Sequence, residues 1–202
     1  MLNIFARASV SRLTDPIGVG LVRLGLSPNA VTVIGTVASV LSALWFFPRG
    51  QLFVGTVVVT VFLLFDVLDG AMARAGGQAT PFGGVLDASC DRIADGALFG
   101  SLVWWALVVD QNQVRGLALL ICLVAAQVIS YVKARAEANG LTADGGVAER
   151  AERFLIVLVG TGLAGLGVPY VLDIAVWLLV VLSLITIGQR LRAVIVSSGT
   201  RR

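Results

Sequence analysis

Aspartates at regular spacing are the residues of this chain that most clearly indicate chemistry. Five of the twelve acidic residues lie between positions 66 and 95, within or beside two strongly apolar segments. Asp66 and Asp69 are three residues apart, so they share one face of a helix. Asp87, Asp91 and Asp95 are spaced by four and form a single stripe on the next predicted helix. Because a short loop makes the two helices antiparallel neighbours, we expect their acidic faces to meet.

The absence of histidine from the sequence narrows the chemistry of these carboxylates. A chain without histidine can form neither a Ser-His-Asp triad nor a histidine-ligated zinc site. Converging carboxylates suit a hard cation such as Mg²⁺ or Mn²⁺, and such ions most often serve phosphate chemistry. Gly70 and Gly83 leave room for a bulky ligand, and the guanidinium of Arg74 can pair with a phosphate. The pattern predicts a metal-dependent phosphate site.

A purely structural interpretation of the aspartates is a set of buried ion pairs. Asp66 with Arg74 and Asp95 with Arg92 are the candidate pairs. The two segments contain few cations for so many acids, and this imbalance favours the metal site.

The composition shows which kind of protein must position these residues. Apolar residues make up 57 % of the chain and charged residues 13 %, whereas soluble domains have about 45–50 % and about 25 %. The 23 glycines are typical of closely packed membrane helices. These proportions exclude a water-soluble globule and a disordered chain, and they indicate an integral membrane protein.

Six apolar segments are predicted to span the membrane. Between residues 154 and 187 only Asp173 is charged, and one helix of that length would measure about 50 Å, against a hydrocarbon core of about 30 Å. The segment from Gly165 to Pro169 is the expected break between a fifth and a sixth span. The spans cover approximately residues 30–47, 52–74, 82–107 and 114–132, and the two halves of 154–187.

The first residues of the chain have a different pattern. Residues 2–24 are too charged to span a membrane, and their polar and apolar positions alternate at helical spacing. We therefore predict an amphipathic helix lying in the membrane interface. The expected fold class is an all-α integral membrane protein with six transmembrane helices preceded by this N-terminal interfacial helix. Residues 1–26 form the interfacial part, and residues 27–202 form the six-helix membrane domain.

Basic residues indicate the orientation of the chain. In the six-span arrangement, twelve of the 15 basic residues lie on the side of the two termini, two lie on the opposite side, and Arg92 lies within the third span. This bias predicts a multi-pass protein of the cell membrane whose termini and active site are cytoplasmic. Arginines at the ends of membrane spans usually reflect the orientation of the protein in the membrane rather than binding to nucleic acid. No nucleic-acid partner is therefore expected.

The aspartates belong to a longer pattern of eight fixed positions: Asp66-x-x-Asp69-Gly70-x-x-Ala73-Arg74, eight residues, Gly83, three residues, Asp87, three residues, Asp91. This pattern resembles the complete motif of the CDP-alcohol phosphotransferase family, with the family's spacing. The six-helix membrane fold of that family also agrees with the predicted spans. The resemblance implies an enzyme that uses CDP-diacylglycerol as donor.

The resemblance implies a role for most of these residues. Asp66, Asp69, Asp87 and Asp91 would bind Mg²⁺ or Mn²⁺, with two ions expected, and Asp91 would also be the general base for the acceptor hydroxyl. Asp95 lies outside the motif; it could orient Arg92 or a ligand, or bind metal. The residues implied in binding CDP-diacylglycerol are Asn29, Ala30, Val31, Thr32, Asp69, Gly70, Arg74 and Thr80.

The start of the first span can be interpreted in two ways without the resemblance. The amide donors of a helix N-terminus are unpaired, so residues 29–32 could bind an anion. Simple capping of the helix by Ser27-Pro28-Asn29 explains the same residues equally well.

A basic region near the fourth and fifth spans bears on the acceptor. Ser130 and Lys133 share a helix face, which favours a second phosphate pocket over simple anchoring at the cytoplasmic surface. This stretch resembles the prokaryotic family members that take inositol phosphate as acceptor. The residues implied in binding the acceptor phosphate are Ser130, Lys133, Arg153, and Arg190 or Arg192.

The predicted function is transfer of the phosphatidyl group from CDP-diacylglycerol to L-myo-inositol 1-phosphate, with release of CMP. A phosphatidylglycerophosphate synthase, which uses glycerol 3-phosphate, is the closest alternative. A carboxylate-based cation or proton transporter and a non-catalytic scaffold are more distant ones, since the acids lie at one membrane end and no inverted repeat is visible. Membrane lipid is a further expected partner, and related enzymes suggest a homodimer by analogy.

Overall fold

The computed structural model describes residue 20 and residues 27–76 and 80–199, except for the side chains of residues 65–71 and 73–76. Six α-helices and no β-strand occur in these ranges. A 3₁₀ turn (Phe47–Arg49) follows the first of these helices, and a π-helical turn (Trp105–Val109) follows the third. The helices are α1 (Pro28–Phe46), α2 (Leu52–Gly76), α3 (Pro81–Trp104), α4 (Gln113–Ala138), α5 (Arg150–Gly165) and α6 (Val171–Gly199).

Apolar length confirms an all-helical membrane protein. Within the described residues, four helical segments are long and apolar enough to cross a bilayer: Pro28–Arg49, Pro81–Val109, Gln113–Ala138 and Val171–Gly199. The apolar stretch Leu52–Leu64 of α2 is shorter, and the 16 residues of α5 correspond to about 24 Å. The six-span count is therefore still a prediction, and the interfacial helix predicted for residues 2–24 lies outside the described residues, apart from Gly20.

The predicted helix boundaries agree with the structure where local signals are strong. α5 ends at Gly165 and α6 begins at Val171, so the expected break is present. Gly167 lies within it at a φ of 87°, a backbone conformation that glycine adopts without strain. At the start of α4, the Asn112 side chain accepts a hydrogen bond of 3.0 Å from the Arg115 amide and caps the helix.

The chain divides into two compact units, Met1–Ser42 with Val57–Ala94 and Ala43–Thr56 with Asp95–Arg202. In the second unit α6 packs against both α4 and α5. Leu119 and Ile129 of α4, Val157 of α5 and Val176 and Leu179 of α6 are buried. Close van der Waals packing of such apolar side chains stabilises the contacts between these helices.

One end of the second unit is joined by a bidentate ion pair. The Arg115 Nε and Nη2 atoms, in the first turn of α4, lie 2.8 and 2.7 Å from the two carboxylate oxygens of Asp173 in the first turn of α6. Arg115 also donates to Asp110 in the preceding loop. This contact fixes α4 and α6 relative to each other at the end that does not carry the predicted phosphate-binding residues.

Candidate active site

Helix α3 carries the stripe of aspartates from the surface into the protein. Asp87 is exposed and Asp91 is half-buried, whereas Asp95, one turn further along, is only 1 % exposed. An exposed and a half-buried carboxylate one turn apart provide oxygen donors of the kind that hard cations prefer. Asp87 and Asp91 can therefore contribute to a metal site, as the sequence predicts.

The other half of the predicted metal site lies on α2. The structure places Asp66 and Asp69 within this helix, but their side chains are outside the described part of the chain, and so are those of Gly70 and Arg74. Among the side chains that are described, no three acidic, cysteine or histidine groups form a cluster. The meeting of the two acidic faces stays a prediction.

The first unit brings two residues of the predicted donor site, Asn29 and Thr80, together at the motif residue Gly83. Thr80 caps α3, because its Oγ1 atom accepts a hydrogen bond of 3.0 Å from the Gly83 amide. A Cβ atom built on Gly83 would lie 3.2 Å from both Thr80 Oγ1 and Asn29 Oδ1. The start of α1 therefore lies against the start of α3, and the absence of a side chain at Gly83 permits this approach.

The remaining donor-site residues of α1 have different surroundings. Val31 and Thr32 are buried, at 4 % and 7 % exposure, and the Thr32 hydroxyl donates to the Pro28 carbonyl at 3.1 Å. Ala30 is half-buried, and its amide donates to Ser27 Oγ at 3.2 Å. Of residues 29–32, Asn29 is the one whose side chain is shown close to Thr80 and Gly83.

Two residues of the predicted acceptor site lie on α4. The Ser130 hydroxyl donates to the Ala126 carbonyl at 3.1 Å and is half-buried. The Lys133 ammonium lies 3.6 Å from an Asp144 carboxylate oxygen and 3.9 Å from one of Glu137. These ion pairs are solvent-exposed, so an incoming anion can compete with them at small cost.

Arg153 is buried in the second unit, with an exposure of 3 %. Its Nη1 atom donates to the Ala148 carbonyl at 3.1 Å, and its Nη2 atom lies 3.7 Å from Asp95 Oδ2. The other carboxylate oxygen of Asp95 lies 3.4 Å from Arg150 Nε. Arg150 also stacks over the Phe154 ring, 4.8 Å from its centroid. Asp95 is thus paired with two arginines of α5, which sequence reasoning missed.

The structure separates Arg190 from Arg192. Arg190 is buried, with an exposure of 6 %. Its Nη1 atom donates at 2.7 Å to the carbonyl of Ile129, the residue directly before Ser130. Its Nε atom donates to the Gly145 carbonyl at 3.1 Å. Arg192 is exposed on a different face of α6, where it lines an open cavity of about 700 Å³. Of the two arginines, Arg190 is therefore the one bound to the backbone directly before Ser130.

The loop between α4 and α5 is bound to α6 at several points. The Ala148 amide donates to Thr186 Oγ1 at 3.0 Å, and the Val147 amide donates to Gln189 Oε1 at 3.1 Å. Gly146 has a φ of 140°, and a Cβ there would lie 2.5 Å from Thr186 Cγ2. A side chain at position 146 would be strained by this backbone conformation and would clash with Thr186, so only glycine fits. The Gly145-Gly146 pair is therefore the sequence feature that could have predicted this attachment.

Comparison with known proteins gives a consistent result. Residues 25–189 match the family model "CDP-alcohol phosphatidyltransferase". The phosphatidylinositol phosphate synthase of Mycobacterium marinum is 55 % identical over 197 residues, which is 96 % of this chain and 84 % of the relative. Similar solved structures include the Mycobacterium tuberculosis phosphatidylinositol phosphate synthase with CDP-DAG bound. Its TM-score is 0.86 and its sequence identity is 54 %, and the match covers 91 % of this chain and 94 % of the solved chain. The same Mycobacterium tuberculosis enzyme in complex with manganese and citrate has a TM-score of 0.88 and 54 % identity, over 92 % and 90 % of the two chains.

Proposed function

Since the chain belongs to the CDP-alcohol phosphatidyltransferase family, we propose that this enzyme transfers the phosphatidyl group of CDP-diacylglycerol to L-myo-inositol 1-phosphate, releasing CMP. The observation that carries the proposal is the 55 % identity to a phosphatidylinositol phosphate synthase over 96 % of the chain. The burial of two arginines, Arg153 and Arg190, beside the loop between α4 and α5 supports a phosphorylated acceptor, since such a substrate needs a second phosphate site.

The donor would bind where α1 and α3 begin. Asn29 and Thr80 have side-chain oxygens next to Gly83, and the partial positive charge at the N-termini of both helices would favour an anion there. Ala30, Val31 and Thr32, which follow Asn29 in the first turn of α1, would complete the donor site on this helix. On α2, we assign the remaining contacts with the CDP group to Asp69, Gly70 and Arg74.

The metal-binding residues in this proposal are the four motif aspartates. Asp87 and Asp91 of α3 offer oxygen ligands at and just below the surface, which suits Mg²⁺ or Mn²⁺. Asp66 and Asp69 of α2 would complete the donor set, with enough carboxylates for two ions. When bound, the metal would supply positive charge that neutralises the pyrophosphate oxygens of the donor.

In the chemical step, Asp91 would act as general base. Its carboxylate takes the proton of the inositol hydroxyl, whose oxygen attacks the phosphorus that carries diacylglycerol. A new phosphorus–oxygen bond forms, the bond from that phosphorus to the oxygen shared with CMP breaks, and CMP leaves with the electron pair. The half-buried position of Asp91 keeps the base accessible to a bound acceptor.

The acceptor phosphate would be held by Ser130, Lys133, Arg153 and Arg190. Guanidinium groups with fixed orientation bind phosphate oxygens through two parallel hydrogen bonds. The two arginines are fixed by backbone carbonyls of the same loop, Ala148 and Gly145. Arg192 lies on another face of α6 and is the weaker candidate.

The arrangement in the membrane is part of the same proposal. Six spans formed by α1 to α6, preceded by an interfacial helix within residues 1–26, place both termini and the active site on the cytoplasmic side of the cell membrane. The excess of basic residues on that side supports this orientation. A homodimer follows by analogy with related enzymes.

Product identification tests the proposal. The purified protein in detergent or lipid nanodiscs is supplied with CDP-diacylglycerol, inositol 1-phosphate and Mg²⁺. We expect equimolar CMP and phosphatidylinositol phosphate, detected by mass spectrometry. CMP release without a phosphatidylinositol phosphate product would contradict the proposal.

A further inference from the structure

Asp95 is a buried acid that the family motif leaves without a role. Its side chain is 1 % exposed, and its two carboxylate oxygens lie 3.4 Å from Arg150 Nε and 3.7 Å from Arg153 Nη2. We propose that Asp95 is a positioning residue, which holds the Arg153 guanidinium in the orientation that binds the acceptor phosphate. This inference rests on the proposed function and assigns a residue to the specificity of its acceptor site.

The position of Arg150 and Arg153 at the start of α5 explains why these arginines need a carboxylate beside them. Arg150 is the first residue of α5 and Arg153 lies one turn later, so both face the same direction. The N-terminal end of a helix carries partial positive charge, which favours anions and disfavours cations. A negative charge placed against both guanidiniums compensates for this, whereas a buried charge left without a counter-charge is strongly destabilising.

The orientation of Arg153 is fixed from two directions. Asp95 of α3 approaches Nη2, and the Ala148 carbonyl accepts a hydrogen bond from Nη1 at 3.1 Å. The same loop binds Arg190 through the Gly145 carbonyl. Two buried arginines from α5 and α6 are therefore held by one short segment, as a phosphate site with a defined geometry requires.

The contacts of Asp95 also argue against a role as a metal ligand. A divalent cation at this carboxylate would lie beside two guanidinium groups, and like charges at such distances repel strongly. Asp95 thus differs in function from Asp87 and Asp91, although all three lie on one stripe of α3.

A double-mutant cycle tests whether Asp95 acts through Arg153. The four enzymes are the unmutated protein, Asp95→Asn, Arg153→Gln and the double variant, assayed with CDP-diacylglycerol and inositol 1-phosphate. Glutamine is chosen because it is neutral and keeps a polar group on a side chain that follows the first part of the arginine. We expect Asp95→Asn to raise KM for inositol 1-phosphate about tenfold, equivalent to about 1.4 kcal/mol. KM for CDP-diacylglycerol should change less than about twofold and kcat less than about threefold.

The diagnostic result is non-additivity. In the Arg153→Gln background, Asp95→Asn should raise KM for inositol 1-phosphate by no more than about twofold, because the group that it orients is already gone. Asp173→Asn is the matched control: it breaks the Arg115–Asp173 ion pair at the other end of the unit, and we expect it to lower the melting temperature with both KM values unchanged. Multiplying effects in the double variant, or equal KM increases for both substrates, would overturn the proposal.

A second variant covers the case in which Asp95→Asn does not fold. Asp95→Glu keeps the charge and displaces it by one methylene group, so KM for inositol 1-phosphate should rise by several-fold; an unchanged KM would refute the positioning role.

Failure of the positioning role of Asp95 can be distinguished from failure of the proposed function. If glycerol 3-phosphate is the better acceptor, the function fails, but the same cycle with that acceptor still tests Asp95; an unphosphorylated acceptor would overturn both.

Discussion

The Arg153 guanidinium lies 3.7 Å from the Asp95 carboxylate, and the two side chains are 3 % and 1 % exposed. This ion pair connects α5 to α3 within the protein interior. An arginine that merely marks the cytoplasmic side of a membrane protein would have its charge in solvent or among lipid headgroups. The burial of Arg153, and of Arg190 beside the same loop, therefore favours a built phosphate site over simple anchoring for these two residues.

Neutralising the acceptor ligands should affect one substrate only. Lys133→Ala and Arg153→Gln each remove a charge-assisted contact worth roughly 1.5–3 kcal/mol, so KM for inositol 1-phosphate should rise about 10- to 150-fold. KM for CDP-diacylglycerol should stay nearly constant. Steady-state kinetics with each substrate varied in turn measures both values. Equal weakening toward the two substrates, or none, would mean that these residues are only topology anchors.

Arg190 and Arg192 should differ sharply in their effect. Arg190→Lys keeps the charge, but an ammonium has no fork to bridge the Ile129 and Gly145 carbonyls. We expect a several-fold higher KM for inositol 1-phosphate and a lower melting temperature. Arg192→Lys, on the exposed face of α6, is the matched variant and should leave both unchanged. A larger kinetic effect at Arg192 would reverse this assignment.

Two adjacent glycines of α3 allow a direct test of the donor site. A Cβ at Gly83 would press on Asn29 Oδ1 and Thr80 Oγ1 at 3.2 Å, whereas a Cβ at Gly84 would have no atom of the described residues within 4 Å. Gly83→Ala should therefore raise KM for CDP-diacylglycerol several-fold without affecting inositol 1-phosphate. Gly84→Ala should be kinetically silent and neutral or slightly stabilising, since alanine favours a helix by about 1 kcal/mol over glycine. Identical kinetics in the two variants would remove Asn29 and Thr80 from the donor site.

Metal removal tests the aspartate motif. Activity should vanish with excess chelator and return with Mg²⁺ or Mn²⁺. Asp66→Ala, Asp69→Ala and Asp87→Ala should each lower kcat/KM by at least about a hundredfold, because the charge of the bound metal ion is worth several kcal/mol in the transition state. Asp110→Asn changes a loop carboxylate that contacts Arg115 and serves as the control with retained activity. Circular dichroism checks that every variant is folded. Full activity in chelator, or in any of the three motif variants, would exclude this metal site.

Helix boundaries were predictable because their signals are local. The Gly165–Pro169 segment and the polar residues around Asn112 end or begin helices through their own backbone preferences and side-chain caps. The structure accordingly has the predicted break after Gly165, and α4 begins at Gln113, next to the predicted start near residue 114, with Asn112 as its cap. Such signals act over three to five residues and need no knowledge of tertiary packing.

The partners of the buried charges were not predictable in the same way. Sequence reasoning considered Arg92, three residues away, as the partner of Asp95, whereas the structure places Arg150 and Arg153 of α5 against it. Choosing among these arginines requires knowing which residues of α5 lie next to Asp95 in the folded protein. Arg190 illustrates the same limit, because its acceptors are the backbone carbonyls of Ile129 and Gly145, which no side-chain pattern reveals.

The acceptor preference is the most direct measure of the proposed function. Initial rates of CMP release are measured at saturating CDP-diacylglycerol with inositol 1-phosphate, glycerol 3-phosphate and free inositol, each over a range of concentrations. We predict the highest kcat/KM for inositol 1-phosphate, with free inositol far weaker because it leaves Lys133, Arg153 and Arg190 without a phosphate to bind. A higher kcat/KM for glycerol 3-phosphate than for inositol 1-phosphate would instead identify a phosphatidylglycerophosphate synthase. A higher kcat/KM for free inositol than for inositol 1-phosphate would contradict the phosphate site itself.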